Sequence, residues 1–580
     1  MMAGFSLIRE CLAEIYGPER IASVMAHLEN LVRERSGETT TPRAASLSER
    51  DAILITYPDQ IGAAGEAPLA SLDRFAGQYL KGLISGIHLL PFYPSSSDDG
   101  FSVTDYRAVD PAYGDWGNIE SLGRQFDLMF DAVLNHASVH SRWFEDYLRN
   151  EEPYRGYFIT VSGQPNLSAV VRPRTTPLLT RFASESGDRW VWTTFSADQA
   201  DLDYRNPAVL LEMLDILLSY VDRGARFIRL DAVAYIWKEI GTSCIHLPQV
   251  HLIVRLLRGI LEMVAPGVVL ITETNVAHAE NVRYLGNGSD EAHLVYNFTL
   301  PPLLLHTFHS QDSRVLSDWI ANMRMPGNQP GFFNVLATHD GIGLNGAQGI
   351  LTEVEIRQLI HRVQSSGGFV SWRSGSEGAP VPYELNANYL DALDAGGAPD
   401  NANAAARFIC AHAILLSLRG VPGVYFHSLF GSRGWPEGAA ATGHARKVNR
   451  EKLGAVTLAR ALKDRASLRA RVYTGIKRLL LARRESAAFS PWAQQRVLEA
   501  GPGILALLRV GSANGEAVLC LHNVTPEVQH FACRLWQVGE AGGQIRDLVG
   551  MGTMVWEPES MLRLEPFQCI WLTKAQDNAS

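Results

Sequence analysis

The stretch Gly224-Ala-Arg-Phe-Ile-Arg229-Leu-Asp231 is a short apolar run that ends in a carboxylate. In an extended chain side chains alternate, so Ile228 and Leu230 point one way and Arg229 and Asp231 the other. An ionised Asp is costly to bury unless it is paired, and Arg229 on the same face supplies the pair. The form recurs in Leu128-Met-Phe-Asp131-Ala-Val-Leu-Asn135-His136, Val268-Val-Leu-Ile-Thr-Glu273-Thr-Asn275 and Phe332-Phe-Asn-Val-Leu-Ala-Thr-His339-Asp340-Gly341. Apolar strands with polar C-terminal ends, separated by helical segments such as Pro207–Val221, predict an α/β fold, a (β/α)8 barrel whose site gathers at those ends. Read alone, Arg229–Asp231 is equally a structural ion pair.

Further barrel strands are expected at Ala52–Pro58, Gly86–Phe92 and Gly423–Phe426, with helices over Leu69–Leu80, Ala404–Arg419 and 470–484. Two stretches break the rhythm. Residues 137–190 predict an inserted subdomain after strand 3, and residues 341–400 a long loop insertion after strand 7. The domain reading is a helical extension with linker over 1–50, barrel over 51–136 and 191–490, and an all-β sandwich over 491–580. In the extension, Ile21, Val24, Met25, Leu28, Leu31 and Val32 form one apolar stripe. It must bury against the barrel or a second subunit, so a homodimer is possible. Ser36–Ser46 reads as a linker.

The formal net charge of −9 and the lack of a basic tract disfavour nucleic acid or an anionic membrane as partner. The longest apolar run, Phe408–Leu418, is too short to span a bilayer, and the N-terminus has no signal-peptide core. The six cysteines are scattered without a CxxC, which suggests neither a zinc site nor a disulfide scaffold. A cytoplasmic location is the default expectation.

Two polar segments are open to more than one reading. Ser95–Tyr106 carries Asp98 and Asp99 beside aromatic residues, which suits turn chemistry or a grip on sugar hydroxyls. Val171-Arg172-Pro173-Arg174 suits a solvated surface pair or a phosphate binder.

Taken together, Asp131–His136, Arg229-Leu-Asp231, Glu273 and His339-Asp340 resemble, in order, the four motifs of the α-amylase superfamily of retaining glycosidases and transglycosidases. Finer features resemble its sucrose phosphorylase branch: Gly241-Thr-Ser-Cys244, Thr338-His-Asp-Gly-Ile-Gly343, Asn297-Phe-Thr-Leu-Pro-Pro-Leu-Leu304 and Arg446-Lys-Val-Asn-Arg450. The resemblance implies transfer of α-glucosyl between an acceptor hydroxyl and inorganic phosphate. It implies Asp231 as nucleophile, Glu273 as general acid/base and Asp340 as the carboxylate that steadies the transition state. Asp98, His136, Arg229, His339 and Arg450 are implied to hold the glucosyl ring, Phe195, Gln199 and Tyr235 to line the site, and Arg174 and Tyr383 to meet phosphate. Departures fall on the acceptor side, at Glu273-Thr274-Asn275, Tyr383-Glu384 and Ser243-Cys-Ile-His-Leu247. These forms look like the glucosylglycerate phosphorylases of the branch, which puts Asn275 and Glu384 near the acceptor. Sucrose-type acceptors, a hydrolase or transglucosidase, and a silent sugar-binding protein are the alternatives. No cofactor is expected, since phosphate is a substrate. No metal is expected either: related amylases often bind calcium through the Asn of the Asp131–His136 motif, and Asn135 is read as structural.

Overall fold

The computed structural model describes residues 2–36, 46–327, 331–375, 380–394, 402–511, 515–536 and 543–575. Eight short strands dominate it: β1 (Ile53–Thr56), β2 (Gly86–Leu89), β3 (Asp127–Val133), β4 (Ala225–Asp231), β5 (Val269–Thr272), β6 (Leu294–Tyr296), β7 (Gly331–Asn334) and β8 (Val421–Tyr425). Their residues are mostly apolar and nearly all buried, as strands covered on both faces must be. They close into a barrel in the order β1-β8-β7-β6-β5-β4-β3-β2, every pairing parallel.

Proline at the first turn starts several covering helices, among them Pro68–Tyr79, Pro207–Asp222 and Pro248–Val264. Its missing N–H costs nothing there. Asn206 caps the second of these by accepting from the Ala208 N–H at 3.0 Å.

Two barrel expectations need correction. β6 is a strand of only three residues that periodicity did not single out. Asp340 does not end a strand: β7 stops at Asn334, and Asp340 lies in the loop beyond it.

The insertions are small sheets built onto the C-terminal rim. After β3, His136–Ser138 pairs antiparallel with Gln199–Asp201, with His136 opposite Asp201 and Ser138 opposite Gln199. Between them Thr160–Val161, Arg189–Trp192 and Leu179–Phe182 form a three-stranded sheet over its own apolar cluster, which includes Val161, Trp192 and Cys244. After β7, Ile342–Gly343, Pro380–Asn386 and Phe369–Ser374 form another three-stranded antiparallel sheet. Residues 376–379 of that insertion lie outside the described residues.

The C-terminal strands make a six-stranded antiparallel sheet, and a two-stranded ribbon of Gln529–Ala532 and Met561–Leu564 packs against it. Helices Met2–Tyr16 and Ile21–Ser36 pack on helix Pro248–Val264, and all six stripe residues are buried. The stripe that could have met a second subunit is covered by the chain's own barrel. The linker reading falls mostly on residues 37–45, outside the described residues.

Candidate active site

Register places the first charges. Arg229 on β4 stands beside Asp131 on β3 and Ile271 on β5. Its guanidinium donates to Asp231 Oδ1 at 2.7 Å and to Asp131 Oδ1, and lies 3.7 Å from Glu273 Oε2. Asp131 also bonds His88 Nε2 at 2.8 Å. One arginine, 2% exposed, thus faces three carboxylates. Such a buried charge is tolerated only when it is paired.

Directly after Asp231 the chain turns through Ala232 at φ 50°, a left-handed conformation an alanine seldom adopts. The turn aims the Ala232 N–H at Glu273 Oε2, 3.3 Å away. Backbone strain of this kind gathers at functional sites.

Burial pushes the Glu273 carboxyl above its ordinary value; Asp340 adds to the push, while Arg229 and the Ala232 N–H oppose it. Burial lifts Asp231 too, with Arg229 opposing and Glu273 adding. The pair is therefore reluctant to carry two charges. The direct N–H bond from Arg229 favours the charge on Asp231 and leaves the proton on Glu273. That is the division of labour a nucleophile and an acid require.

Asp340 has the opposite environment. Burial would raise its pKa, but Arg446, His339, Arg450 and Arg229 hold it well below the usual carboxylate range. Arg446 Nη1 sits 2.5 Å from Asp340 Oδ1, and Arg450 Nη2 donates to the same oxygen at 3.3 Å. His339 is kept neutral by burial, its pKa lowered to about 3, and stacks on Phe101 at 4.9 Å.

These groups floor an open cavity of about 770 Å³. Asp98, His136, Phe195 and Gln199 form one wall, and Gln199 Nε2 ties it together, 3.2 Å from Asp98 Oδ2 and 3.1 Å from His136 Nε2. The antiparallel pairing described above is what brings Gln199 to His136. Phe195 packs on His136 and Tyr235 at 5.4 and 5.5 Å. Asn275, Tyr383, Glu384 and Arg174 form another part of its wall. Arg174 lies over the Tyr383 ring at 5.9 Å, and burial pushes the Tyr383 phenol up to about 12. Asn275 Oδ1 is buried without a partner among the described residues.

Two expected contacts are relocated. Arg450 does not line the cavity; it stands behind it, bonded to the His339 carbonyl at 2.7 Å and to Asp99. Arg446, one turn earlier, takes the wall position. Glu384 reaches the cavity, but its oxygens already accept from Arg446 at 3.1 and 2.8 Å and from the Gly341 N–H. It holds Arg446 in place. Gly341 permits this approach, since a Cβ there would stand 2.5 Å from Glu384 Oε1.

Sequence reasoning also passed over Lys238. Its buried ammonium donates to Asn135 Oδ1 at 2.6 Å and pairs with Asp201 Oδ2. Asn135 itself donates to Asp201 at 3.0 Å. The positive charge beside Asn135 is thus the chain's own. A lone lysine after an aromatic run carries no signal by itself.

Comparison with known proteins now bears on this geometry. The family model "Alpha amylase, catalytic domain" matches residues 77–326. The chain is 45% identical to the glucosylglycerate phosphorylase of Spirochaeta thermophila, covering 98% of this chain and 99% of that protein. It is 48% identical to the glucosylglycerate phosphorylase of Allomeiothermus silvanus, covering 90% and 93%. Its fold is that of sucrose 6F-phosphate phosphorylase from Thermoanaerobacter thermosaccharolyticum, with TM-score 0.72, 23% identity and coverage of 90% and 99%. With a carboxylate-rich floor at the C-terminal ends of a parallel barrel, and relatives matched almost end to end, the chain belongs to the α-amylase family, within its glycoside phosphorylase branch.

Proposed function

We propose that the chain is a retaining phosphorylase that moves α-glucosyl reversibly between 2-O-α-glucosylglycerate and inorganic phosphate. The observation that carries the reading is the contrast between a floor of mutually bonded charges around Arg229 and the guanidinium of Arg174 above it, which makes no ion pair among the described residues. The near-full-length similarity to glucosylglycerate phosphorylases supplies the acceptor.

Asp231 attacks the anomeric carbon while Glu273 gives its proton to the departing glycerate oxygen. The glucosyl is then an ester of Asp231, and glycerate leaves with its hydroxyl restored. A phosphate oxygen attacks the same carbon, Glu273 accepts the proton of that phosphate, and the Asp231–carbon bond breaks. Two inversions give α-glucose 1-phosphate. Asp340, held ionised, offsets the positive charge that grows on the ring. Asp98, His136, Gln199 and His339 hold the ring from the floor and one wall, and Arg450 acts from behind through Asp340. Arg174, assisted by Tyr383, favours phosphate over water by charge and bidentate geometry. The reaction balances without a cofactor.

No helix among the described residues is long and apolar enough to cross a membrane. The six cysteines are free, which fits a reducing compartment, and we place the protein in the cytoplasm.

The test is release of glucose 1-phosphate from 2-O-α-glucosylglycerate, with sucrose and glucosylglycerol in parallel, with and without phosphate. Phosphate-dependent release from glucosylglycerate alone is expected. Release from sucrose instead overturns the acceptor, free glucose regardless of phosphate makes the chain a hydrolase, and no turnover of any substrate makes it a sugar-binding protein.

A further inference from the structure

A second, open chamber, about 610 Å³ with the solvent in its mouth, adjoins the catalytic cavity and shares Tyr235, Asn275, Val276 and Tyr383 with it. Among the described residues its lining contains no carboxylate. That is unusual next to a floor of three acids, and it fits an anionic rather than a neutral occupant.

The charge in this chamber comes from Arg373. It lies on the strand Phe369–Ser374, opposite Val381 of the returning strand. Its Nε is buried without a hydrogen-bond partner among the described residues, and Arg373 makes no ion pair among them. A different element closes the chamber from the inserted subdomain: Pro173, the neighbour of Arg174, is part of the lining. Arg373 and Arg174 both act electrostatically on the Tyr235 phenol, the group on the shared wall. The remaining polar lining among the described residues is neutral. Burial lowers His246 to about 4, and its Nδ1 is 2.7 Å from the Tyr284 hydroxyl. Asn345 donates to the Asn275 main-chain carbonyl at 3.0 Å; Asn275 lines both spaces, and its Oδ1 is buried without a partner among the described residues.

We propose that Arg373 is the residue that selects an anionic acceptor, by presenting its guanidinium to the acceptor's carboxylate. The inference rests on the phosphorylase reading above and deepens it. The glycerate carboxylate is attached to the carbon that carries the glycosidic oxygen, so it must lie near Glu273 and the Asp231 ester, where negative charge repels it. A guanidinium in the adjoining chamber offsets that repulsion and orients the acceptor hydroxyl toward Glu273. Phosphate, the other anion of the cycle, meets the same positive potential, but Arg174 in the cavity proper is its partner. Arg373 thus discriminates between acceptors, and Arg174 between phosphate and water.

The experiment is an internal competition. Glucose 1-phosphate is the donor, equal concentrations of glycerate and glycerol are the acceptors, and the ratio of the two glucosides is read. The ratio reports only the acceptor step and does not depend on how much enzyme is folded. The wild-type chain is expected to favour glycerate. Arg373→Gln is expected to lower the ratio by about tenfold to a hundredfold, the scale of one hydrogen bond to a charged group. Arg373→Lys should fall between, because an ammonium keeps the charge but not the fork. A ratio within about twofold of wild type in Arg373→Gln, well inside the weight of such a bond, overturns the proposal. So does a collapse of the ratio in Arg174→Gln with none in Arg373→Gln. If Arg373→Gln yields no soluble protein, Arg373→Lys decides: an unchanged ratio overturns the proposal. If the wild-type chain makes no glucosylglycerate at all, the functional reading fails and takes this proposal with it. A wild type that prefers glycerate beside an unaffected Arg373→Gln removes this proposal alone.

Discussion

The floor of the cavity and its upper wall are built on opposite plans. On the floor every charge answers another: Arg229 serves Asp131 and Asp231, Arg446 serves Asp340 and Glu384, and Arg450 serves Asp340 and Asp99. Arg229, Asp131 and Asp231 lie on barrel strands, Asp340 in the loop after β7, Asp99 in the segment Asp98–Gly100, Glu384 on the inserted strand Pro380–Asn386, and Arg446 and Arg450 in and just after the 3-10 segment Ala445–Asn449. The upper wall comes from the two insertions and the loop after β5, and there Arg174 and Arg373 have no ion-pair partner among the described residues. A closed charge set fixes one sugar in one place. An open one leaves positive charge for groups that come and go, which is what two exchanging anions need.

The largest expected effect lies on the floor. Asp231→Asn or Glu273→Gln should each lower the rate of glucose 1-phosphate release by about a thousandfold or more, since the first removes the covalent step and the second the proton transfer. Glu273→Gln should regain its first step with α-glucosyl fluoride, whose leaving group needs no proton, and Asp231→Asn should not. A small change in either variant would break the floor's assignment.

Next comes the wall. Arg174→Ala should shift the product ratio of glucose 1-phosphate to free glucose by about thirtyfold toward glucose, the weight of a charge-assisted hydrogen bond. An unchanged ratio would mean that the unpaired charge is not there for phosphate.

The floor should also reveal itself in stability. Arg446→Leu leaves Asp340 with Arg450 and Glu384 with the Gly341 N–H. The cost should be about 3 kcal/mol, the scale of a broken buried pair, read as a lowered denaturant midpoint. Arg174→Leu on the open wall should cost well under about 1 kcal/mol.

The smallest effects are in pH. Against burial, Arg229 and His88 lower the pKa of Asp131 from 3.8 to about 2. A carboxylate with a depressed folded pKa stabilises the fold above its unfolded value and loses that contribution as pH falls through the folded one. The contribution, ~2 kcal/mol, should therefore disappear between about pH 4 and 2, and Asp131→Asn should flatten stability across that window. Glu273 runs the other way in activity: it must be protonated to act, its pKa is raised, and turnover should fall as pH rises through that value. An alkaline limb that survives in Glu273→Gln would assign it to another group.

The fold was legible where runs were long enough to show their pattern. Leu128–Val133 and Ala225–Asp231 are apolar over most of a strand, and both are where they were expected. Leu294–Tyr296 was missed because three residues carry no periodicity; only its parallel partners on either side make it a strand. The acids were legible as motifs, with Asp231 at a strand end as read. Asp340 was placed one element too early, because the apolar residues Val335 and Leu336 continue the pattern of β7 after its hydrogen bonds have stopped. Arg446 and Arg450 could not be told apart from the chain alone: both belong to one short motif, and only the packing against Asp340, Asp99 and Glu384 decides which reaches the cavity.

Residue type and spacing settled the chemistry and its order: which acids, which strands carry them, and which family they resemble. These are local properties, readable without coordinates. Protonation and partners came only with the folded chain. Asp231, Glu273 and Asp340 are three carboxylates of one cavity, yet two are pushed up and one is pulled down. Charge–charge energies depend on distance and burial, and barrel closure sets both, bringing Arg229 and Arg446 from distant parts of the chain to different acids.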